Sequence, residues 1–465
     1  MAASTKEQEY RRLSLWWDGL PGAIEPRKPL EGNTSADVAI VGAGFTGLWC
    51  AYYLKRQQRH LRVVIIEREV AGFGPAGRNA GWASGGIAGN WRVYERSHGK
   101  EAVRRAELLT YSAVDEIGEV VRRERIDCGY AKNGMVIVAM TPAQEARLVA
   151  DVERARQRKL TAAGLRELTS TELEKLIIVP SSRRAIYSPH NASIDPARLV
   201  RGLAGACERA GVVIYEGTKA VAINRGYVDC VAGRVQADHI LLATESYTTQ
   251  LPRERRRYLP LYHVMLATEP LPADVWDAIG WHTAVTFRDR RHLFFHAKRT
   301  RDDRLAVGGR GAPYKLSQPL AQPVHHDRDM RAKLQNAVGE YFPAAARFKI
   351  THQWGGPLAV PRDWCMAITY DQTTGLGSAG GYSGHGLVAA NIAGRTLADL
   401  VLARDTELGS LPWVGHTSRK WEPEPIRFLA SRAVVGVLAS ADRYEDTHDG
   451  RARRAGLVAP IAQPS

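Results

Sequence analysis

Residues 38–67 read VAIVGAGFTGLWCAYYLKRQQRHLRVVIIE and constrain the fold more than any other stretch. The apolar run Val38–Val41 predicts a buried strand that delivers Gly42-Ala43-Gly44-Phe45-Thr46-Gly47. A helical pattern follows at Leu48, Ala51 and Leu54, and a second apolar run, Val63–Ile66, ends on Glu67 with Arg68 beside it. Each part has a role in holding a dinucleotide. Gly42 permits the tight turn, Gly44 lets a pyrophosphate approach the backbone, and Gly47 lets the helix pack close to the strand. Phe45 and Thr46 fall in the first helical turn, where free N–H groups and the positive dipole end favour phosphate. Glu67 follows Gly42 by 25 residues, the place from which a carboxylate accepts hydrogen bonds from ribose hydroxyls. Taken alone, the fingerprint admits NAD, NADP or FAD.

The 465-residue chain is long enough for two or more domains. Its net charge of +15 is spread out, the densest runs being Arg253–Arg257 and Arg451–Arg454. No aromatic-interleaved basic stripe or zinc-ligand spacing accompanies them, which argues against nucleic-acid binding. The excess charge favours anionic substrates and the cofactor's phosphates. Five separated cysteines, with no CxxC, argue against a disulfide framework and suit a reducing cytoplasm. No window reaches the ~20 apolar residues that a membrane-spanning helix requires.

Two further glycine-rich loops stand out. AGFGPAGRNAGWASGGIAGNW (71–91) is too glycine-dense for a linker inside a compact protein, and GLGSAGGYSGHG (375–386) again opens a helix, from about Leu387. Between them the pattern predicts a helix over 101–124, a strand over 134–140 and a helix over 142–159. A second αβ unit follows over 194–223, and then a buried strand that runs into a polar turn, HILLATESY (239–247). Residues 260–350 read as strand-rich. A nicotinamide cofactor needs only the first loop; three loops converging on one ligand favour FAD. The tail 406–465 is rich in Pro and Arg, with an apolar helical face at Phe428–Leu438 and a final fifteen residues expected to lack structure.

These markers, together with RDDRLAVGGRG (301–311) and WGG (354–356), resemble the FAD-dependent amine and amino-acid oxidoreductases of the D-amino-acid oxidase, glycine oxidase and sarcosine oxidase type. The likeness runs from about Ser14 to Phe428, and extends in particular to gamma-glutamylputrescine oxidoreductase-like members. The resemblance implies an α/β fold of two domains. A discontinuous Rossmann-like FAD-binding domain would comprise 36–95, 190–258 and 352–405. A mostly antiparallel-sheet substrate domain would comprise 96–189 and 259–351, with an N-terminal arm (1–35) and a C-terminal extension (406–465). It further implies that Gly42, Gly44 and Gly47 hold the pyrophosphate and Glu67 the ribose. Gly77, Arg78, Asn79, Ala80, Gly81 and Trp82 would lie along the pyrophosphate and flavin, Ala220 and Val221 against adenine, and Ala243 and Thr244 at a strand end near the cofactor. Gly381, Tyr382, Gly384, His385 and Gly386 would lie beside the flavin pyrimidine. There the helix N-terminus would stabilise negative charge on the reduced ring.

Two departures from better-known members matter. Sarcosine oxidase-like proteins bond flavin to a cysteine in the region matching Gly355–Val360; none is present here and Cys365 falls too late, so non-covalent FAD is expected. The lysine that assists reaction with oxygen in those oxidases has Ala306 as its counterpart, which leaves oxygen and a quinone both open as electron acceptor.

The expected reaction is oxidation of a carbon–nitrogen bond in a small amine or amino acid, by hydride transfer to flavin N5 and hydrolysis of the resulting imine. Arg299 and Arg310 are candidate clamps for a substrate carboxylate. His385 is a candidate for flavin contact and proton movement. Phe294, Phe295 and Tyr382 are candidates for an apolar pocket that favours a neutral amine. Trp16-Trp17 read as anchors of the N-terminal arm, and Glu245 as a residue near the cofactor without an assigned role. The alternatives are a flavin-dependent hydroxy-acid dehydrogenase, which would need a positioned base, and a non-catalytic flavoprotein subunit.

Overall fold

The computed structural model describes residues 5–161, 164–309, 311, 314, 320 and 327–459. At its centre is the strand Thr34–Val41, in which Val38, Ala39 and Ile40 are fully buried. Burial on both faces requires the continuous apolar run seen in the sequence, and it is typical of a parallel sheet covered by helices. Thr34–Val41 pairs in parallel with Gly233–Leu242 on one side and Val63–Ile66 on the other. Leu376–Gly380 and Val213–Tyr215 extend the sheet outward, also in parallel. The antiparallel strand Ala367–Asp371 and the hairpin Ala220–Asn224/Tyr227–Cys230 bring it to eight strands.

The helices Phe45–Gln57, Pro196–Arg209 and Gly386–Val401 share one core with this sheet. Gly394 allows the first and last of them to touch, since a Cβ there would lie 2.5 Å from Trp49 Cβ. The long helical segment Trp91–Arg123, interrupted at Gly99, buries Val103, Ala106, Val114, Ile117 and Val120 in this same core. It was expected in the substrate unit, but its apolar face matches the cofactor unit and it packs there.

The second sheet runs Ile350–Val360, Leu259–Thr268, Leu305–Gly309, Phe295–Arg299, Thr286–Asp289, Met135–Ala139, Arg184–Ser188, Arg166–Leu168. Every pairing is antiparallel except that of Thr286–Asp289 with Met135–Ala139. Ile350–Val360 departs from the expected boundary at 352. It hydrogen-bonds along Leu259–Thr268 and so belongs to the second sheet.

The termini serve the site. Tyr10, Leu13, Leu15, Trp16 and Trp17 form a core with Val70 and Ala197 from the first unit and Met265, Ala306 and Trp354 from the second. Ser14 Oγ donates to Gly77 O at 3.0 Å and Trp16 Nε1 to Asn79 O at 2.8 Å, which ties the arm to the 74–82 loop. At the other end the helix Ile426–Thr447 presents Asp442 to the backbone N–H groups of His292 and Leu293, and pairs Glu445 with Arg147 at 2.7 Å. Within the final fifteen residues, Arg454–Val458 is helical, contrary to expectation, and 460–465 lie outside the described residues. All five cysteines are free and buried. Among the described residues no helix is long and apolar enough to cross a membrane.

Candidate active site

The two sheets contribute opposite walls of one elongated cavity. On the first wall, Thr34–Val41 ends in Gly42, whose φ of 108° only glycine adopts readily; a Cβ there would also lie 2.6 Å from Ala243 O. The helix Phe45–Gln57 starts at Gly44 with no side-chain cap, so its first N–H groups face the cavity unclaimed by a side chain. Gly47 faces away and packs onto Gly42 O and Ile40. Glu67 lines the cavity, accepting from Ala43 N at 2.9 Å and Glu69 N at 3.0 Å. Burial raises its pKa, and these two N–H bonds oppose that rise. Arg68 and Ala220 lie on the same stretch of lining, whereas Val221, the next residue, is exposed.

In the 74–82 loop, Arg78, Asn79, Ala80 and Trp82 line the cavity. Arg78 is 1% exposed and donates to Tyr247 Oη at 2.8 Å. Gly77 and Gly81 are behind this surface, where Gly77 admits Trp17 and Gly81 admits Ile194 O. Ala243 and Thr244 line the cavity, as do Tyr382, Gly384, His385 and Gly386. Gly381 lies behind them, its N–H donating to Glu245 at 2.8 Å. His385 is the N-terminal boundary residue of the helix Gly386–Val401 and leaves that end without a side-chain cap.

Glu245 has a clearer role here than its sequence context gave. Its carboxylate also accepts from Tyr382 N at 3.3 Å, so it fastens the 381–386 loop to the end of Gly233–Leu242. Burial pushes its pKa up to about 7 against the pull of those two N–H bonds. Tyr382 is held in turn by Thr46, with Oη and Oγ1 at 2.7 Å.

The second wall contributes Met135, His263, Arg288, Phe294 and His296. His263 and His296 meet with their Nε2 atoms 2.7 Å apart and rings nearly parallel, and the Trp82 ring lies edge-on to His296 at 4.6 Å. Their strands are not neighbours, because Leu305–Gly309 runs between them. The gap is bridged because that strand carries Gly308 opposite His296; a Cβ on it would lie 2.6 Å from His296 Nε2. The double glycine in RLAVGGRG was the signal available for this pair. Arg288 lies over the Phe294 ring at 4.4 Å.

Arg299 is not on the cavity. It pairs with Asp303 at 2.6 Å, donates to Trp281 O at 2.8 Å and lies over Trp276. Alternation along Phe295–Arg299 and its junction with the 300–304 turn carry it to the outer side. Arg310 lies outside the described residues. Phe295 packs in the second core with Tyr341 rather than on the cavity, while Phe294 and Tyr382 line it. Ala306 is buried, and Lys298, opposite it across the strands, donates to Gly81 O and Ile194 O.

This is a cavity suited to a long dinucleotide: two uncapped helix N-termini, a glycine turn, a carboxylate at the second strand end, and a second sheet closing over the far part. Its class is that of a two-sheet flavoprotein oxidoreductase. The chain belongs to the FAD dependent oxidoreductase (DAO) family, whose model matches residues 37–400. It is 29% identical over 409 residues to a probable oxidoreductase, OrdL, of Rhizobium meliloti, covering 84% of this chain and 89% of that protein. It is 26% identical over 381 residues to gamma-glutamylputrescine oxidoreductase of Escherichia coli, covering 81% and 86%. In structure it superposes on glycine oxidase from Geobacillus kaustophilus with a TM-score of 0.67 at 18% identity, covering 83% of this chain and 100% of that one. The protein is therefore an FAD-dependent oxidoreductase.

Proposed function

We propose that the protein oxidises a carbon–nitrogen bond in a small amine or amino acid. The observation that carries this reading is the second wall, where Phe294 lies beside the His263–His296 pair and Trp82 from the facing loop meets His296 edge-on. Relatives named for gamma-glutamylputrescine and glycine oxidation support it. Bound FAD supplies the acceptor for the substrate's hydride. A cysteinyl link to it has no donor, since none of the five cysteines lines the cavity among the described residues.

The chain's own groups bind, orient and move protons. The Gly42–Phe45 turn and the start of its helix anchor the pyrophosphate, and Glu67 the ribose. The Gly386 helix N-terminus opposes negative charge at the reacting end. Low-dielectric aromatic walls favour the neutral amine over its ammonium. His263 and His296 share a hydrogen bond between ring nitrogens, so one must carry a proton there and the other accept. A pair of this kind takes up the proton that the ammonium must lose. The amine carbon then loses hydride, and water hydrolyses the resulting imine to a carbonyl compound and ammonia or an amine.

The same histidine pair favours a second reading, oxidation of a hydroxy acid, which needs a base for its hydroxyl proton. Product analysis separates the two. The protein is incubated with amines, amino acids and hydroxy acids, each with oxygen or a quinone as acceptor. Release of ammonia with carbonyl product from an amine is the expected result. Carbonyl product from hydroxy acids alone would overturn the amine reading.

A further inference from the structure

Beside the cavity's second wall opens a smaller basic annex, sharing Arg288, Phe294 and His385 with it and continuing to Arg154, Arg158 and Arg290. Arg291 lines it as well and pairs with Glu340 at 2.8 Å and Asp446 at 3.0 Å. Asp151 is shared by two guanidiniums, accepting from Arg290 at 2.6 and 3.0 Å and pairing with Arg154 as well. Arg158 is occupied by Glu95 at 2.6 Å and Glu107 at 3.6 Å. Arg288 has no carboxylate within ion-pair distance among the described residues; its Nε reaches only Asp289 O, at 3.4 Å. Burial, and after it neighbouring Arg290, lower the Arg288 pKa to about 10, against the opposing pull of Asp151 and Asp289. A half-buried guanidinium that has no ion pair of its own among the described residues and opens on two cavities is placed to take an anion.

We propose that the annex is an anion subsite that seats a carboxylate at the far end of the substrate, so that the substrate is an amine bearing a distal carboxylate. The proposal rests on the amine-oxidation reading and adds the substrate class to it. The carboxylate engages Arg288 from the annex side, with Arg154 and Arg290 adding field. The carbon–nitrogen bond is thereby directed back past Phe294 toward His296 and the flavin end of the cavity. Recognition of this kind discriminates, because a substrate lacking the carboxylate leaves the half-buried Arg288 cation without an ion pair.

The test uses flavin-loaded protein without oxygen. Straight-chain ω-amino carboxylates of three to seven carbons are compared with alkylamines of equal length by the concentration dependence of flavin bleaching. The wild-type protein is expected to favour the carboxylate-bearing amine at least tenfold at the best length. Arg288→Gln should collapse that ratio toward one, Arg288→Lys should keep part of it, and Arg154→Gln should lower it less. If Arg288→Gln fails to fold, the wild-type preference and the Arg154→Gln effect decide. Glutarate, which carries no amine, is titrated separately by its perturbation of the oxidised flavin spectrum. Glutarate binding that Arg288→Gln or Arg154→Gln weakens supports the annex even if no amine bleaches the flavin, an outcome that would sink only the amine reading. Absence of any carboxylate preference, or a preference unchanged by these variants, would overturn the annex proposal.

Discussion

The first-sheet wall of the cavity is made largely of backbone, and the second-sheet wall largely of side chains. On the first, Gly42, Gly44, Ala243 and the starts of two helices present N–H groups and closely approached chain. On the second, His263, His296, Phe294 and Arg288 project from strands that are distant in sequence. A backbone site tolerates almost any flanking sequence but demands glycine where chains touch. A side-chain site tolerates many backbones but depends on register. Under the proposed function, the first wall would fix what kind of ligand is held, and the second what is done to it.

The comparison predicts that the two walls fail in different ways. The largest effect is expected at Gly47→Val, which would push the helix off Gly42 O and Ile40. FAD retention should weaken by about a hundredfold or more, equivalent to roughly 3 kcal/mol, measured by flavin fluorescence on dilution. His296→Asn, by contrast, should retain flavin while slowing its anaerobic reduction by about 10²–10³-fold and altering the pH profile of that step. Loss of flavin from His296→Asn with reduction unimpaired in what remains would erase the distinction between the walls.

Glu245→Gln has a smaller effect, with a sign set by its pKa. The folded carboxyl titrates near 7, above its ordinary 4.5, so the native state holds a proton that the unfolded state has lost between those values. Stability from this group is thus present at pH 4.5 and below and declines as pH rises through 7. Glutamine cannot ionise, so the variant should match the wild type near pH 4.5 and exceed it by about 3 kcal/mol at pH 8. Thermal unfolding of the two apoproteins across that range checks this; parallel curves would mean that folding leaves the Glu245 carboxyl unshifted. The smallest effect is expected at Arg299→Gln. Its ion pair with Asp303 is partly exposed, so stability should change by about 1 kcal/mol or less, and the Kd for a carboxylate-bearing substrate should stay within about twofold.

Legibility in the sequence follows the same division. The βαβ unit, the Pro196 helix start and the glycine loops could be read because each is local: a strand, a turn and a helix signal lie within thirty residues. Glu67 could be read because the helix between the strands has a nearly fixed length. Arg299 misled because alternation on a short strand, and the 300–304 turn after it, decide its side, and neither is visible without the partner strand. The His263–His296 pair was hidden because it spans a third strand and depends on Gly308 being empty. Glu245 and Arg288 were hidden because their meaning lies in burial and in which charges fail to meet them. The long helix before Arg123 was recognised as a helix but assigned to the wrong unit, since an apolar face does not name the surface it covers.

The central claim is that one cavity holds FAD along the first wall and an oxidisable amine against the second. Anaerobic addition of amines to the flavin-loaded protein tests it most directly. The account predicts that the oxidised flavin absorbance bleaches with at least one amine or amino acid, with one carbonyl product formed per flavin reduced. A protein that binds FAD yet is bleached by hydroxy acids and by no amine, or that cannot be loaded with FAD at all, would contradict it.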